Sequence, residues 1–313
     1  MAEISKKMTL SSRRWRQRGF LILLTAVPLL NFAIFWVYVN LQTIVMTFQR
    51  FDVTSGEYKF IAFERYWEVI EDYVLGKVPM DRNVYLNSLR SIVINLIILP
   101  LAFICSYAFH KKIKFQKFFR LAFMFPSMIS LVVLTMLFRY MFAGDFGPIA
   151  EAFEKILGRK TDWLGVESEH LWTLIYIFCI WAGMGTNVIM ISGAMNRIPE
   201  DLTEAGLIDG LGFWKEAIFV VLPLVMPTIG IYFISILTSC LTFTLQPMLI
   251  ARDVGPDNKF LTMSWYVFMV TNGGGPDQML QAATVGIVFS LLLLPFIVGA
   301  RVLANKLTAD VSF

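Results

Sequence analysis

Between Glu204 and Pro223 the chain reads Glu-Ala-Gly-Leu-Ile-Asp-Gly, then nine residues, then Val-Val-Leu-Pro. Residues of these types at this spacing suit recognition. Ile198-Pro199-Glu200-Asp201 reads as a helix start. Proline tolerates a first helical turn, where its missing N–H has no partner anyway. Glu200 and Asp201 complement the positive end of the helix dipole. Leu202, Ala205 and Ile208 then recur every third residue on one side. Ala205 and Gly206 are small enough to permit close approach. Gly210 is placed to end the helix in the left-handed conformation that glycine adopts at little cost. Phe213 and Trp214 open a second helix, which runs on through Leu222-Pro223. The expectation is a helix–turn–helix over 197–218. On physical grounds it serves equally as a docking surface for a soluble partner or as an amphipathic loop resting on a membrane.

A second constellation is buried in apolar sequence. Thr228, Tyr232, Ser235, Ser239, Thr242 and Gln246 follow steps of four, three, four, three and four, which places them on one helical stripe. Six hydrogen-bonding side chains on one face are costly toward lipid. They belong against other helices, as hydrogen-bonding glue, or along a water-filled path. Tyr232 and Gln246 favour the path, because bulky side chains suit close helix packing poorly. Ser88, Ser91 and Asn95 make a shorter stripe, and Asn187, with Gly183 and Gly185 nearby, a third polar point. A neutral lining of hydroxyls, amides and aromatics suits a polyhydroxylated solute. An ion path would more often carry an intramembrane charge.

Catalysis finds no support. The sequence holds neither His-Glu-x-x-His nor Gly-x-Ser-x-Gly, and no Gly-x-x-x-x-Gly-Lys-Ser/Thr phosphate loop; Gly76-Lys77 lacks both the upstream glycine and a following hydroxyl. No catalytic or metal-binding residues are expected. Cys105, Cys179 and Cys240 are unpaired in spacing and read as small buried apolar residues.

The elements that must position these residues are membrane spans. The 313 residues are 57% hydrophobic and 16% charged, far from the roughly 25% charge of a soluble domain. Six stretches carry no Asp, Glu, Lys or Arg: Gly19–Gln49, Ser91–His110, Leu121–Phe138, Leu171–Asn196, Ala217–Ala251 and Gln278–Ala300. Each is long enough to cross a hydrocarbon core as a helix, which takes roughly 17–25 residues. A seventh uncharged run, Phe260–Pro276, is broken by Asn272-Gly273-Gly274-Gly275-Pro276; its apolar part, 260–271, suits an interfacial or re-entrant helix. Six all-α spans put the amino-terminal tail, the 111–120 connection, the 197–218 loop and the carboxyl terminus on one side. That side holds 15 Lys and Arg against 7 Asp and Glu; the other holds 12 against 16. The excess of Lys and Arg in short loops marks it as cytoplasmic, so the net charge of +4 is an orientation signal and not a nucleic-acid footprint. Between spans, the 50–86 connection mixes Phe63, Tyr66 and Trp67 with charges, as an interfacial belt or a contact for an extracytoplasmic protein. The 143–170 connection reads as a short helix plus loop. Pro100, Pro223, Pro227 and Pro295 can kink the spans that hold them.

The 204–223 stretch resembles the signature loop of inner-membrane permeases of binding-protein-dependent ABC importers: Glu-Ala-Ala, three residues, Gly, nine residues, Ile, one residue, Leu-Pro. Glu204, Ala205, Gly210, Leu222 and Pro223 match; Gly206 and Val220 depart mildly. Asp209 and Pro227 are typical of the carbohydrate branch. Phe119-Arg120, Phe125-Pro126, Val132-Val133, Met141-Phe142-Ala143-Gly144-Asp145-Phe146-Gly147 and Gly255-Pro256 extend the likeness over about 87–306. The resemblance implies a permease core at 87–306, preceded by a tail, extra span and outer loop at 1–86 and followed by a tail at 307–313. It implies a multi-pass subunit of the bacterial plasma membrane that transports a sugar or oligosaccharide and is not itself an enzyme. Its partners would be a second permease, two ABC ATPase subunits that carry the ATP and magnesium, and an extracytoplasmic solute-binding protein. Glu204, Ala205, Gly206, Asp209 and Gly210 would couple to the ATPases, Glu204 and Asp209 through charge-assisted contacts. Asn187, Tyr232, Ser235, Ser239, Thr242 and Gln246 are the candidates for solute contact. The rival, a secondary carrier or channel, would show an internal repeat or an ion-coupling charge, and neither is seen.

Overall fold

The computed structural model describes residues 2–75, 82–144, 146–158 and 161–308 of the chain. The basic side chains from Lys6 to Arg16, the Gly76-Lys77 pair, Asp145 and the tail from Ala309 lie outside the described residues.

Helix α1 (Ala2–Phe32) continues through a wider turn at Ala33–Tyr38 into Val39–Met46. A two-stranded antiparallel hairpin follows, β1 (Gln49–Asp52) and β2 (Glu57–Phe60), in the register Gln49↔Phe60 and Asp52↔Glu57. Next come α2 (Glu64–Val69), α3 (Arg82–His110), α4 (Gln116–Met128), α5 (Leu131–Met141) and α6 (Pro148–Leu157). Then follow α7 (Leu171–Met195), α8 (Glu200–Ile208), α9 (Phe213–Leu241) and α10 (Leu245–Ala251). Helices α11 (Met263–Gly273) and α12 (Pro276–Thr308) complete the chain.

Five helical stretches are long and apolar enough to cross a membrane: Gln17–Met46, from α1 through its continuation, then α3, α7, α9 and α12. The expected third span, Leu121–Phe138, is not one rod. It is the pair α4 and α5, bent by 106°. Ile129 and Ser130 leave the helical region between them, at ψ 142° and 131°. The pair counts as a sixth crossing only if both halves together make one span.

The hairpin adds strand to a fold expected to be wholly helical. Its turn is local chemistry: the Asp52 carboxylate accepts from the Thr54 N–H at 2.9 Å, and Gly56 sits at φ +68°. The hairpin is fastened to the far end of the chain. Buried Arg65 pairs with Asp277 in the first turn of α12 at 2.6 Å, and the Phe51 N–H donates to the same carboxylate at 3.0 Å.

The core lies where α3, α5 and α7 meet. Ile94, Ile98, Phe138, Ile175, Phe178 and Val188 are buried there, and the Phe138 and Phe178 rings lie 5.1 Å apart. Helix α4 lies directly on α7 at Gly185. A Cβ at that position would stand 2.3 Å from the Phe123 carbonyl oxygen, so only glycine permits this crossing. Helix α1 is different: its most apolar window buries nothing against the rest of the chain. A helix apolar all round belongs in lipid or against another membrane helix.

Candidate functional site

At one end of the bundle the 197–218 loop folds as the expected helix–turn–helix. Helix α8 ends at Gly210, whose φ of +76° is left-handed. The Asp209 N–H returns to the Ala205 carbonyl, and the Leu211 N–H returns to the Gly206 carbonyl, each at 3.0 Å. The second closure is the six-to-one bond that characterises a glycine-terminated helix. Leu211 folds back over Gly206, where an added Cβ would meet its Cδ1 at 3.3 Å. An alanine there would need that methyl group to shift by only a few tenths of an ångström.

The outward side of α8 carries Glu204, Ala205 and Asp209, all exposed, while Gly206 faces inward and is buried. Its apolar row also points away from the bundle: Leu202 is 38% and Ile208 is 87% exposed. Trp214, at the start of α9, is 58% exposed. An apolar ridge rimmed by carboxylates is built to be covered.

The ridge rests on a stiff base that the sequence did not reveal. Glu216 is 1% exposed, and its carboxylate meets the Lys111 ammonium at 2.6 Å. Phe213 packs on Tyr107 with centroids 4.6 Å apart. Together they fix the start of α9 to the end of α3 and to the basic 111–120 connection. Between that connection and α8 lies a cavity of about 450 Å³, with His110, Lys112 and Arg120 on one wall and Glu200, Thr203 and Glu204 on the other. Above this base α9 passes through a wider turn at Ala217–Val221. That turn precedes Pro223, which lacks the N–H for a regular bond to Phe219 and crowds the preceding turn.

The polar stripe of α9 holds only in part. It runs helically to Ser239, after which the chain tightens at Ser239–Leu241 and leaves helical geometry at Thr242 (φ −122°, ψ 2°). Gln246 therefore belongs to α10, and its helical phase is not that of Tyr232. Ser239 bonds Ser91 of α3 at 3.1 Å, the arrangement expected of interhelical glue. Ser235 and Thr242 are exposed and bond back to the carbonyls of Ile231 and Ser239. Asn187 bonds back to the Gly183 carbonyl at 2.8 Å. The Tyr232 hydroxyl is buried with no hydrogen-bond partner among the described residues.

At the other end, α3 grips the segment before α11. One Asn87 amide nitrogen lies 3.2, 3.0 and 2.9 Å from the carbonyls of Asn258, Lys259 and Leu261. Ser88 accepts from the Met263 N–H at 2.8 Å, and the Trp172 indole donates to Lys259 at 3.0 Å. Ser88, read from sequence as part of a polar stripe, is thus a backbone clamp. The sequence marks Asn87 only as an amide beside that stripe.

The chain matches the family profile described as "Binding-protein-dependent transport system inner membrane component" over residues 98–309. It is 25% identical over 276 residues to the arabinooligosaccharides transport system permease protein AraP of Bacillus subtilis, covering 87% of this chain and 84% of that protein. It is 23% identical over 301 residues to the diacetylchitobiose uptake system permease protein NgcF of Streptomyces coelicolor, covering 92% and 83%. Among solved structures, a chain of a bacterial ABC transporter involved in import of the acidic polysaccharide alginate superposes with a TM-score of 0.79 at 17% identity, over 95% of this chain and 99% of that one.

Proposed function

The chain belongs to the family of binding-protein-dependent transport system inner membrane components, and from that premise we propose that it is the permease subunit of an ATP-driven importer of a sugar or oligosaccharide. With a second permease it forms the translocation path, and an extracytoplasmic binding protein delivers the solute. Two separate ATPase subunits hold ATP and magnesium and receive the 197–218 loop. The chain crosses the bacterial plasma membrane six times, with the α4–α5 pair as one crossing and both termini cytoplasmic. The excess of Lys and Arg at the 111–120 and amino-terminal segments supports that orientation.

One observation carries the coupling role: α8 presents an exposed apolar ridge, Leu202 and Ile208 beside Glu204, on a base held by the buried Glu216–Lys111 pair. A loop free to flex would dissipate movement applied to it; a clamped one passes it to α3 and α9. The sugar assignment is supported by the relatives' transport of arabinooligosaccharides and diacetylchitobiose and by the uncharged stripe of α9.

The test is capture of the tagged chain from its native membrane in mild detergent, with mass spectrometry of its companions and thiol cross-linking in a Glu204→Cys variant. Recovery of an ATPase cross-linked at that position is the expected result. A folded chain that yields no ATPase by either route sinks the coupling reading.

A further inference from the structure

In the half of the bundle away from the 197–218 loop, a cavity of about 430 Å³ opens between α11 and α12. Its volume lies within the roughly 300–1,000 Å³ of small-molecule sites. The α11 wall follows the i, i+3, i+4, i+7 spacing of one helical face, from Ser264 through Phe268 to Thr271. The facing wall is Gly286, Phe289 and Ser290 of α12, and Thr244 closes one side. Among the described residues, no Asp, Glu, Lys, Arg or His lines it.

Three features point to a guest with hydroxyl groups. First, the Ser264 hydroxyl is buried without a hydrogen-bond partner among the described residues, which costs roughly 1–3 kcal/mol. Thr271, Asn272 and Ser290 each bond to the carbonyl four residues back; Ser264 does not. Second, the Asn272 amide nitrogen is engaged but its oxygen remains an acceptor. Thr271, Asn272 and Ser290 are exposed in the isolated chain, and such groups are costly against lipid tails. Third, two phenyl rings flank the space, and Phe289 is held by stacking on Tyr85 at 5.1 Å. Neutral hydroxyl and amide groups between aromatic faces match the edge and the C–H face of a saccharide ring.

We propose that this cavity is a solute subsite that takes one neutral saccharide ring, beside the α9 stripe and distinct from it. The proposal rests on the importer reading above. Thr244 lies between Thr242 and Gln246, so the subsite adjoins the predicted path.

The test uses the complete importer in sealed proteoliposomes, with arabinotriose, N,N′-diacetylchitobiose and lactose as probes. Uptake by the wild type comes first; transport of none of the three overturns the functional reading and the subsite with it. Two variants then address the subsite alone. Gly286→Phe fills the space, since a Cβ there meets nothing within 4 Å, and should raise KM for the transported sugar roughly tenfold, the scale of a lost apolar contact. Ser264→Cys should be modified by a methanethiosulfonate reagent several-fold more slowly when that sugar is present, against the wild type as background. A Gly286→Phe importer that assembles and transports with unchanged KM overturns the proposal. So does a labelling rate of the Ser264→Cys variant that ignores the sugar, including one abolished throughout because the second permease fills the cavity.

Discussion

The Lys111–Glu216 pair makes an asymmetric prediction. Glu216 is 1% exposed, whereas Lys111 is 24% exposed and lies at the end of a helix. Removing the ammonium leaves a carboxylate buried without its partner. Breaking a buried pair by deleting one member costs about 3–5 kcal/mol; because water reaches Lys111, the low end applies. Lys111→Ala should therefore cost about 3 kcal/mol, on the order of a hundredfold in the folding equilibrium. Glu216→Gln leaves a neutral amide inside and a lysine able to turn to solvent, and should cost only about 1 kcal/mol. Lys111→Met with Glu216→Leu removes both charges and should recover most of the loss, since apolar replacement of a buried pair is often neutral. Reversible unfolding of the purified chain in mixed micelles with increasing SDS measures all three. If the coupling loop also depends on this base, Lys111→Ala importers should hydrolyse ATP with less solute moved per ATP. Equal and small costs for Lys111→Ala and Glu216→Gln would refute the reasoning, because the asymmetry follows directly from which partner is buried.

Gly185→Ala should destabilise by about 1–3 kcal/mol through overpacking, because its Cβ meets the Phe123 backbone. Gly183→Ala meets only the movable end of Ile98 and should cost clearly less in the same SDS titration. Asn87→Leu strips the carbonyls of Asn258, Lys259 and Leu261 of their shared donor. It should cost about 2–3 kcal/mol and speed proteolysis between Arg252 and Leu261. Gly210→Pro cannot adopt φ +76°, and Glu204→Lys reverses the charge beside the ridge. Each should abolish uptake in whole cells while the chain remains inserted, and normal uptake in both would exclude the loop from coupling.

Much of the helix framework was legible because it rests on local signals. Runs without charge marked Gln17–Met46, α3, α7, α9 and α12, and Pro199, Glu200 and Gly210 marked both ends of α8. What the sequence hid was long-range. No periodicity foretells that Ile129-Ser130 bends the α4–α5 pair by 106°, since the uncharged run Leu121–Phe138 continues straight across the bend. The stripe of α9 failed beyond Ser239 because a helical pattern presumes a continuous helix, and Thr242 interrupts it. Arg65 and Asp277 are 212 positions apart, and only the fold brings them together. Gly183 and Gly185 looked like neighbours of a polar point; their spacing to Ile98 and to α4 shows them as packing positions.

Both ends of the bundle are fastened to α3. At its start, Asn87 and Ser88 hold the segment from Asn258 to Met263; just past its end, Lys111 holds Glu216. The two attachments are separated by roughly 36 Å of helix at about 1.5 Å per residue. Helix α7 packs along α3, and Ser106 donates to the Val188 carbonyl at 3.0 Å, so the two helices act as one strut. Pro100 removes a single donor within that strut, yet α3 remains one uninterrupted helix. A displacement applied to the 197–218 loop through Glu216 therefore reaches the segment before α11 without crossing a flexible connection. By contrast, α9 carries a wider turn, Pro223, Pro227 and the break at Thr242 between the same two ends. The chain thus offers one stiff route and one compliant route between its ends, and the compliant one carries Tyr232, Ser235 and Ser239 of the polar stripe.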